Sequence, residues 1–165
     1  MRLNKSNSLL LVVLVFLSVA LLGCREKASK ETAGSELYNI FPKGELGPAG
    51  NFTGKAWNMG LVPNDSTYTT LVGNVYFEPG ARSNWHTHPA GQILIITDGV
   101  GFHQIKGQPK QLLHKGDVVQ CPPGAEHWHG ASPDTGLQQL YIVPNTEKGI
   151  VQWLQPVTDE EYKSK

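Results

Sequence analysis

The chain is poor in charge, sulfur and repetition. Only 17% of its 165 residues are charged, and 14 basic residues balance 14 acidic ones. A neutral chain without a basic stripe carries no electrostatic footprint for nucleic acid. Two cysteines in a chain of this length exclude a disulfide-built scaffold. No segment recurs at a fixed spacing, which excludes repeat architectures. There is no phosphate-cradling glycine loop and no Ser/His/Asp nucleophile elbow, so neither nucleotide binding nor triad hydrolysis has a basis in the sequence. Helix signals are almost missing as well.

What is present begins with an export signal. Arg2 and Lys5 form a short positive region, followed by an apolar run from Leu9 to Leu22 broken only by Ser18. The run is short for a spanning helix, which needs about 20 residues, and suits the apolar core of a signal peptide. It ends in Leu21-Leu22-Gly23-Cys24, which resembles the lipobox of bacterial lipoproteins. The resemblance implies cleavage after residue 23 and a lipid on Cys24. The alternative is an uncleaved anchor with an incidental cysteine. Both place the domain outside the cytoplasmic membrane, on the periplasmic side in a Gram-negative cell, with the bilayer as a partner. The expected organisation is a signal peptide over 1–23, a flexible polar tether over 24–40 and one domain over 41–165. With Cys24 acylated, Cys121 has no partner and reads as a buried free thiol.

The domain reads as all-β. Residues 41–54 are rich in Gly and Pro and are expected to be irregular. Beyond them, short runs of Val, Ile, Tyr and Leu alternate with turn residues. Strands are predicted over 55–61, 68–77, 84–88, 92–97, 101–105, 110–114, 117–121, 127–130, 137–143 and 151–155, closely spaced as in a barrel or sandwich. The helix signal comes last. Thr158-Asp159-Glu160-Glu161 has the form of a capping box and predicts a short C-terminal turn through Tyr162.

Two motifs carry the chemistry. Gly80, His86, His88, Gln92 and Gly99 follow G-x5-H-x-H-x3-Q-x6-G, and Gly116, Pro122, Gly124 and His127 follow G-x5-P-x-G-x2-H. Alternate strand residues share a face, so His86 and His88 point the same way. The Pro89-Ala90-Gly91 turn can return Gln92 beside them, with Gly99 and Gly124 expected to supply further turns. Neutral imidazole is the commonest protein ligand for first-row divalent metals. Three imidazoles and one carboxamide would leave open positions on an octahedral ion, as a catalytic site requires. His129 shares the face of His127 and is a candidate acid–base group, pocket hydrogen-bond donor or rim residue. Trp128, Trp85 and Glu126 should face away. Arg82 reads as a surface or interface residue, the alternative being a residue that orients an anionic or carbonyl substrate. His103 and His114 read as surface or structural, and Tyr76 and Tyr141 as packing residues, the alternative being barrel-lining ones.

These motifs resemble those of the cupin superfamily, G-x5-H-x-H-x3,4-E-x6-G and G-x5-P-x-G-x2-H-x3-N. Gln92 stands in place of the glutamate and Ala131 in place of the asparagine. The resemblance implies a single-domain cupin, a double-stranded β-helix or jelly-roll barrel. Further segments, Phe77-Glu78-Pro79-Gly80-Ala81-Arg82, Trp85-His86-Thr87-His88-Pro89 and His127-Trp128-His129-Gly130, are similar to those of small bacterial cupins. That group includes the manganese-dependent hydroxynitrile lyases and the cupins associated with carboxymuconolactone decarboxylases. It implies a metal held by three His and one Gln, which maps onto His86, His88, Gln92 and His127. Mn(II) is favoured, with Fe(II), Ni(II) and Zn(II) as alternatives. A homodimer is implied too. The lyases carry one more pocket histidine, and Gln139 occupies that position here. Glutamine is no general base, so cyanohydrin cleavage by the same route is not expected.

Three functions follow as expectations. The first is a metal-dependent enzyme acting on a small hydroxy or carbonyl compound in the barrel, with lyase-type chemistry favoured and proton transfer assigned to His129. The second is an Fe(II)-dependent dioxygenase. The third is a non-catalytic, metal-dependent small-molecule-binding lipoprotein.

Overall fold

A computed structural model describes Leu37 and residues 39–164. The expected signal peptide, Cys24 and almost all of the tether lie outside the described residues. Among those described, twelve strands, a 3-10 turn at Thr146–Lys148 and one short α-helix are joined by turns. In chain order they are β1 (Glu45–Leu46), β2 (Phe52–Thr53), β3 (Ala56–Val62), β4 (Thr70–Phe77), β5 (Arg82–Ser83), β6 (His86–Thr87), β7 (Gln92–Ile105), β8 (Gln111–His114), β9 (Val118–Cys121), β10 (His127–Ala131), β11 (Leu137–Pro144), β12 (Gln152–Trp153) and α1 (Asp159–Lys163). All the strand pairings are antiparallel. The order β1-β3-β4-β11-β7-β10-β5-β2 forms one curled sheet, a single-domain all-β barrel. No described helix is long and apolar enough to cross a membrane.

The expected strands are present, with three corrections. Residues 41–54 hold two short strands, β1 and β2, where irregular chain was expected. Of the strand expected over 84–88 only β6 is formed, and the short β5 lies just ahead of that range. The third correction shapes the site. The strands expected at 92–97 and 101–105 are one continuous 14-residue strand, β7. Gly99 does not turn the chain. It sits mid-strand at φ 84°, and a Cβ there would stand 2.0 Å from the Gly136 carbonyl oxygen. Beside it the β11 register jumps, with Gln138 opposite Asp98 but Gln139 opposite Ile96. Such a bulge inserts one residue and exchanges the two faces of the strand. Gln92, Leu94 and Ile96 are therefore buried before it, and Gly101 and His103 after it.

The inward faces build the main core around Phe77, Leu94, Ile96 and Leu137, all at most 1% exposed. A second cluster lies on the outside of β10, where Trp85, Trp128, Val157 and Tyr162 pack together. The C-terminal segment seals this cluster. Its capping box is complete: Glu161 donates its N–H to Thr158 Oγ1, and Thr158 donates its N–H to the Glu161 carboxylate. Arg82, expected at the surface or an interface, is 4% exposed within the chain itself. It donates from Nε and Nη2 to the Val157 carbonyl at 3.2 and 3.0 Å and pairs with Asp159 at 2.7 Å. Its guanidinium also lies 4.6 Å from the Tyr162 ring centre. The partners that bury Arg82 come from the far end of the chain, beyond the reach of local pattern.

Candidate metal centre

Short strands and two tight turns gather the motif side chains. His86 and His127 are paired directly across β6 and β10, and Trp153 pairs with His86 from β12. The carbonyl of His88 accepts the N–H of Gly91 at 3.0 Å and that of Gly124 at 2.9 Å. One main-chain oxygen thus ties the turns of both motifs together. Both glycines have positive φ, and a Cβ on Gly91 would come within 2.7 Å of the Cys121 carbonyl oxygen. Gln92 starts β7 opposite Cys121.

The rings converge. His86 lies 4.3 Å from His127 and 5.2 Å from His88, centre to centre, and His88 lies 5.6 Å from His127. Gln92 Oε1 is 3.1 Å from His127 Nε2. His129 joins them: one ring nitrogen from each of His86, His127 and His129 lies within 4.8 Å of the others. The structure thus brings together all four expected ligand residues and His129. His114 is elsewhere, on the exposed end of β8.

The orientation of the rings is set by main-chain carbonyls. His86 Nδ1 donates to the Asn84 carbonyl at 2.9 Å, His88 Nδ1 to that of Ile150 at 2.6 Å, and His127 Nδ1 to that of Ala125 at 3.0 Å. With Nδ1 protonated, each neutral ring turns an unprotonated Nε2 inward. His88 Nε2 is buried with no hydrogen-bond partner, an uncommon state for a buried polar atom. Burial pushes all three rings below the usual histidine range. His127 falls to about 3 and His86 well below its normal value, where neighbouring imidazoles add to the effect. The rings are therefore neutral near pH 7, the form that ligates metal. Three neutral imidazoles and an amide oxygen fit a divalent transition ion.

A cavity of about 590 Å³ opens onto this cluster, bordered by His86, His88, Gln92 and His129 on the polar side. Its volume is that of a small-molecule site. Phe52, Trp153, Val75 and Tyr141 are among its apolar walls. Tyr141 takes the barrel-lining alternative rather than the packing role preferred for it, with its hydroxyl hydrogen-bonded to Asn58. Gly73 makes this placement feasible, since a Cβ there would meet the Tyr141 hydroxyl at 2.3 Å. Phe52 and Asn58 were not singled out in the sequence, because no local spacing marks them as wall residues.

His129 is 5% exposed, edge-on to Phe77 and held well below the usual histidine range by burial and by the surrounding imidazoles. It is no rim residue. Its Nδ1 lies 2.8 Å from Gln139 Nε2. Trp128 faces outward, with its indole N–H donating to Gln104 at 3.0 Å, and Glu126 pairs with Lys106. His103 lies inside the barrel at 1% exposure. Its Nδ1 lies 3.2 Å from Gln111 Oε1, its Nε2 3.2 Å from Cys121 Sγ, and its ring 5.6 Å from His127. Cys121 is the expected buried free thiol.

Comparisons with known proteins agree with this fold. The family described as the cupin domain matches residues 73–143. The chain is 44% identical over 117 residues to an (R)-mandelonitrile lyase of Granulicella tundricola, spanning 71% of this chain and 89% of that one. A cupin-like protein of Thermotoga maritima superposes with a TM-score of 0.75 at 47% identity, covering 76% of this chain and 96% of that one. A DMSP lyase of Ruegeria pomeroyi shares the fold at 22% identity and a TM-score of 0.54, over 66% of this chain and 54% of that one.

Proposed function

The chain belongs to the cupin family, and on that premise we propose that it is a metal-dependent enzyme acting on a small hydroxy or carbonyl compound by lyase-type chemistry. The observation that carries this reading is the shared orientation of His86, His88 and His127. Each donates its Nδ1 proton to a main-chain carbonyl and turns an unprotonated Nε2 inward, and His86 and His88 border the cavity together with Gln92. These three rings and Gln92 would hold the ion, with Mn(II) favoured. When bound, such an ion polarises a carbonyl or hydroxyl oxygen and stabilises negative charge on it. Gln92 is neutral where a glutamate would subtract one charge, so the centre keeps its full electrophilic character.

The chain's own groups do the rest. Phe52, Trp153 and Val75 exclude water around the organic part of the substrate. His129 supplies the polar contact to the substrate oxygen, as a proton-transfer group or as a hydrogen-bond donor. The mandelonitrile lyase relative supports a lyase reading and suggests an aromatic cyanohydrin as a first assay compound. Gln139 stands where those lyases carry a histidine, so any cleavage here would run without that base. The lipobox-like segment supports a lipid-anchored, extracytoplasmic protein, and family membership supports a homodimer.

The test is elemental analysis of protein purified without added metal, followed by assays of His127→Ala and His129→Ala. The reading expects a transition metal in the wild type, its loss in His127→Ala, and retained metal with lost turnover in His129→Ala. Protein that holds no metal and takes none up on reconstitution overturns it. Substrate-dependent oxygen uptake would replace the lyase with a dioxygenase.

A further inference from the structure

Four histidines border the cluster, and one of them is oriented differently from the others. His86, His88 and His127 each donate Nδ1–H to a main-chain carbonyl. His129 has no carbonyl at its Nδ1. It has the side-chain amide of Gln139, with Nε2 of the amide at 2.8 Å. An amide nitrogen only donates. A neutral ring that accepts at Nδ1 must carry its own proton on Nε2.

The fold presents Gln139 to His129 by design of the register. Leu137, Gln139, Tyr141 and Val143 alternate along β11, with Leu137 in the core and Tyr141 and Val143 on the cavity wall. The bulge opposite Gln138 and Gln139 adjusts the β7 side of this row. Gln139 is fully buried, and its Oε1 has no partner. The reversed amide would leave both N–H bonds of the NH2 group unpaired instead. A buried donor left without an acceptor is rarer than an under-used carbonyl oxygen, so the donating orientation is the less costly one. His129 is itself pinned, with its main-chain N–H 3.2 Å from Ser83 Oγ and its ring edge-on to Phe77 at 5.6 Å.

We infer that Gln139 is a positioning residue that fixes His129 with its proton on Nε2, making His129 a hydrogen-bond donor to a carbonyl or alkoxide oxygen in the cavity rather than a fourth ligand or a proton acceptor. The inference deepens the proposed function and rests on its reading of the cavity as the reaction site. It selects one of the two roles open to His129. A donor at this place favours substrates that present an acceptor oxygen, and it stabilises charge on that oxygen while keeping its own proton. It also separates His129 from the ligands. The tautomer at His86, His88 and His127 frees Nε2 for a cation, and the tautomer at His129 blocks it.

The experiment is nitrogen-15 NMR on the zinc-loaded protein, with the ring nitrogens assigned by single His→Gln substitutions and the metal content of the same sample measured. The expected result is a one-bond proton coupling at Nε2 of His129 and none at Nε2 of His86, His88 and His127. In Gln139→Glu, whose carboxylate can only accept, the His129 proton should move to Nδ1, and in Gln139→Leu the single tautomer should be lost. A wild-type His129 protonated at Nδ1 overturns the inference even where Gln139→Glu fails to fold. A sample without zinc that still shows the Nε2 proton supports the tautomer assignment while overturning the proposed metal centre, so the two failures are distinguishable.

Discussion

His127 Nε2 faces Gln92 Oε1 at 3.1 Å, and neither atom has a proton to share. The ring's proton sits on Nδ1, which donates to the Ala125 carbonyl at 3.0 Å, and an amide oxygen only accepts. Two acceptors at this separation repel unless a cation lies beside both. Adjacent ligands on an octahedral ion with bonds of about 2.1 Å stand about 3 Å apart. The spacing supports the proposed pairing of His127 and Gln92 on one ion.

Gln92→Glu should therefore keep the metal and weaken the chemistry. A carboxylate reaches the same place and adds a negative charge, which strengthens ion binding and lowers the ion's pull on a substrate oxygen. A loss of only about 1.4 kcal/mol in transition-state stabilisation reduces turnover about tenfold. Expected outcomes are an unchanged metal content and at least a tenfold drop in kcat. An activity equal to the wild type would show that the charge of this ligand is irrelevant.

Arg82→Ala should loosen the C-terminal segment and leave the metal cluster intact. Arg82 satisfies the buried Val157 carbonyl and covers the Tyr162 ring. Asp159 is 72% exposed, so that ion pair adds little, and most of the effect lies in the orphaned carbonyl and the lost packing. A cost of about 2 kcal/mol follows. Urea denaturation gives the magnitude. A red shift in tryptophan emission would report exposure of Trp85 and Trp128, while metal content should not change.

The contrast between these two sites shows how far local pattern reaches. The H-x-H spacing, the P-x-G turn and the alternation of β10 are local, and they were enough to bring His86, His88, Gln92 and His127 to one place and to turn Trp128 away. The inward place of His103 was not legible. It depends on a bulge that exchanges faces midway along β7, and Gly99 reads equally well as a turn. Arg82 acquires its role from the C-terminal segment and Gln139 from His129 on the neighbouring face of the barrel. Much of the cavity wall was hidden for the same reason, since Phe52 and Asn58 become neighbours of the site only when the sheet curls.

Cys121 should be chemically silent in the folded protein. Its thiol is buried, 3.2 Å from His103 Nε2, and burial raises its pKa to about 12. At pH 8 almost no thiolate forms, and thiolate is the reacting species. Iodoacetamide should therefore leave native protein unlabelled at Cys121 and label it fully in denaturant, as read by mass spectrometry. Rapid native labelling would mean that β9 opens readily.

Acid should unfold the metal-free protein through its buried imidazoles. In the folded chain the pKa of His127 is lowered to about 3 by burial, against an ordinary value of 6.5. His86, His88, His103 and His129 are shifted the same way. Above 6.5 both folded and unfolded chains hold these rings neutral, and they cause no pH dependence. As pH falls below 6.5 the unfolded chain takes up protons that the folded chain refuses, so stability is lost progressively down to about pH 3. For His127 alone the loss between pH 6.5 and pH 5 is about 2 kcal/mol. The urea midpoint of metal-stripped protein should fall steadily from pH 7 to pH 5. Added divalent metal should raise it at pH 7, because the ion binds the neutral rings of the folded state alone. A midpoint that does not move between pH 7 and pH 5 would mean that the rings protonate without unfolding, and that the cluster is open to water.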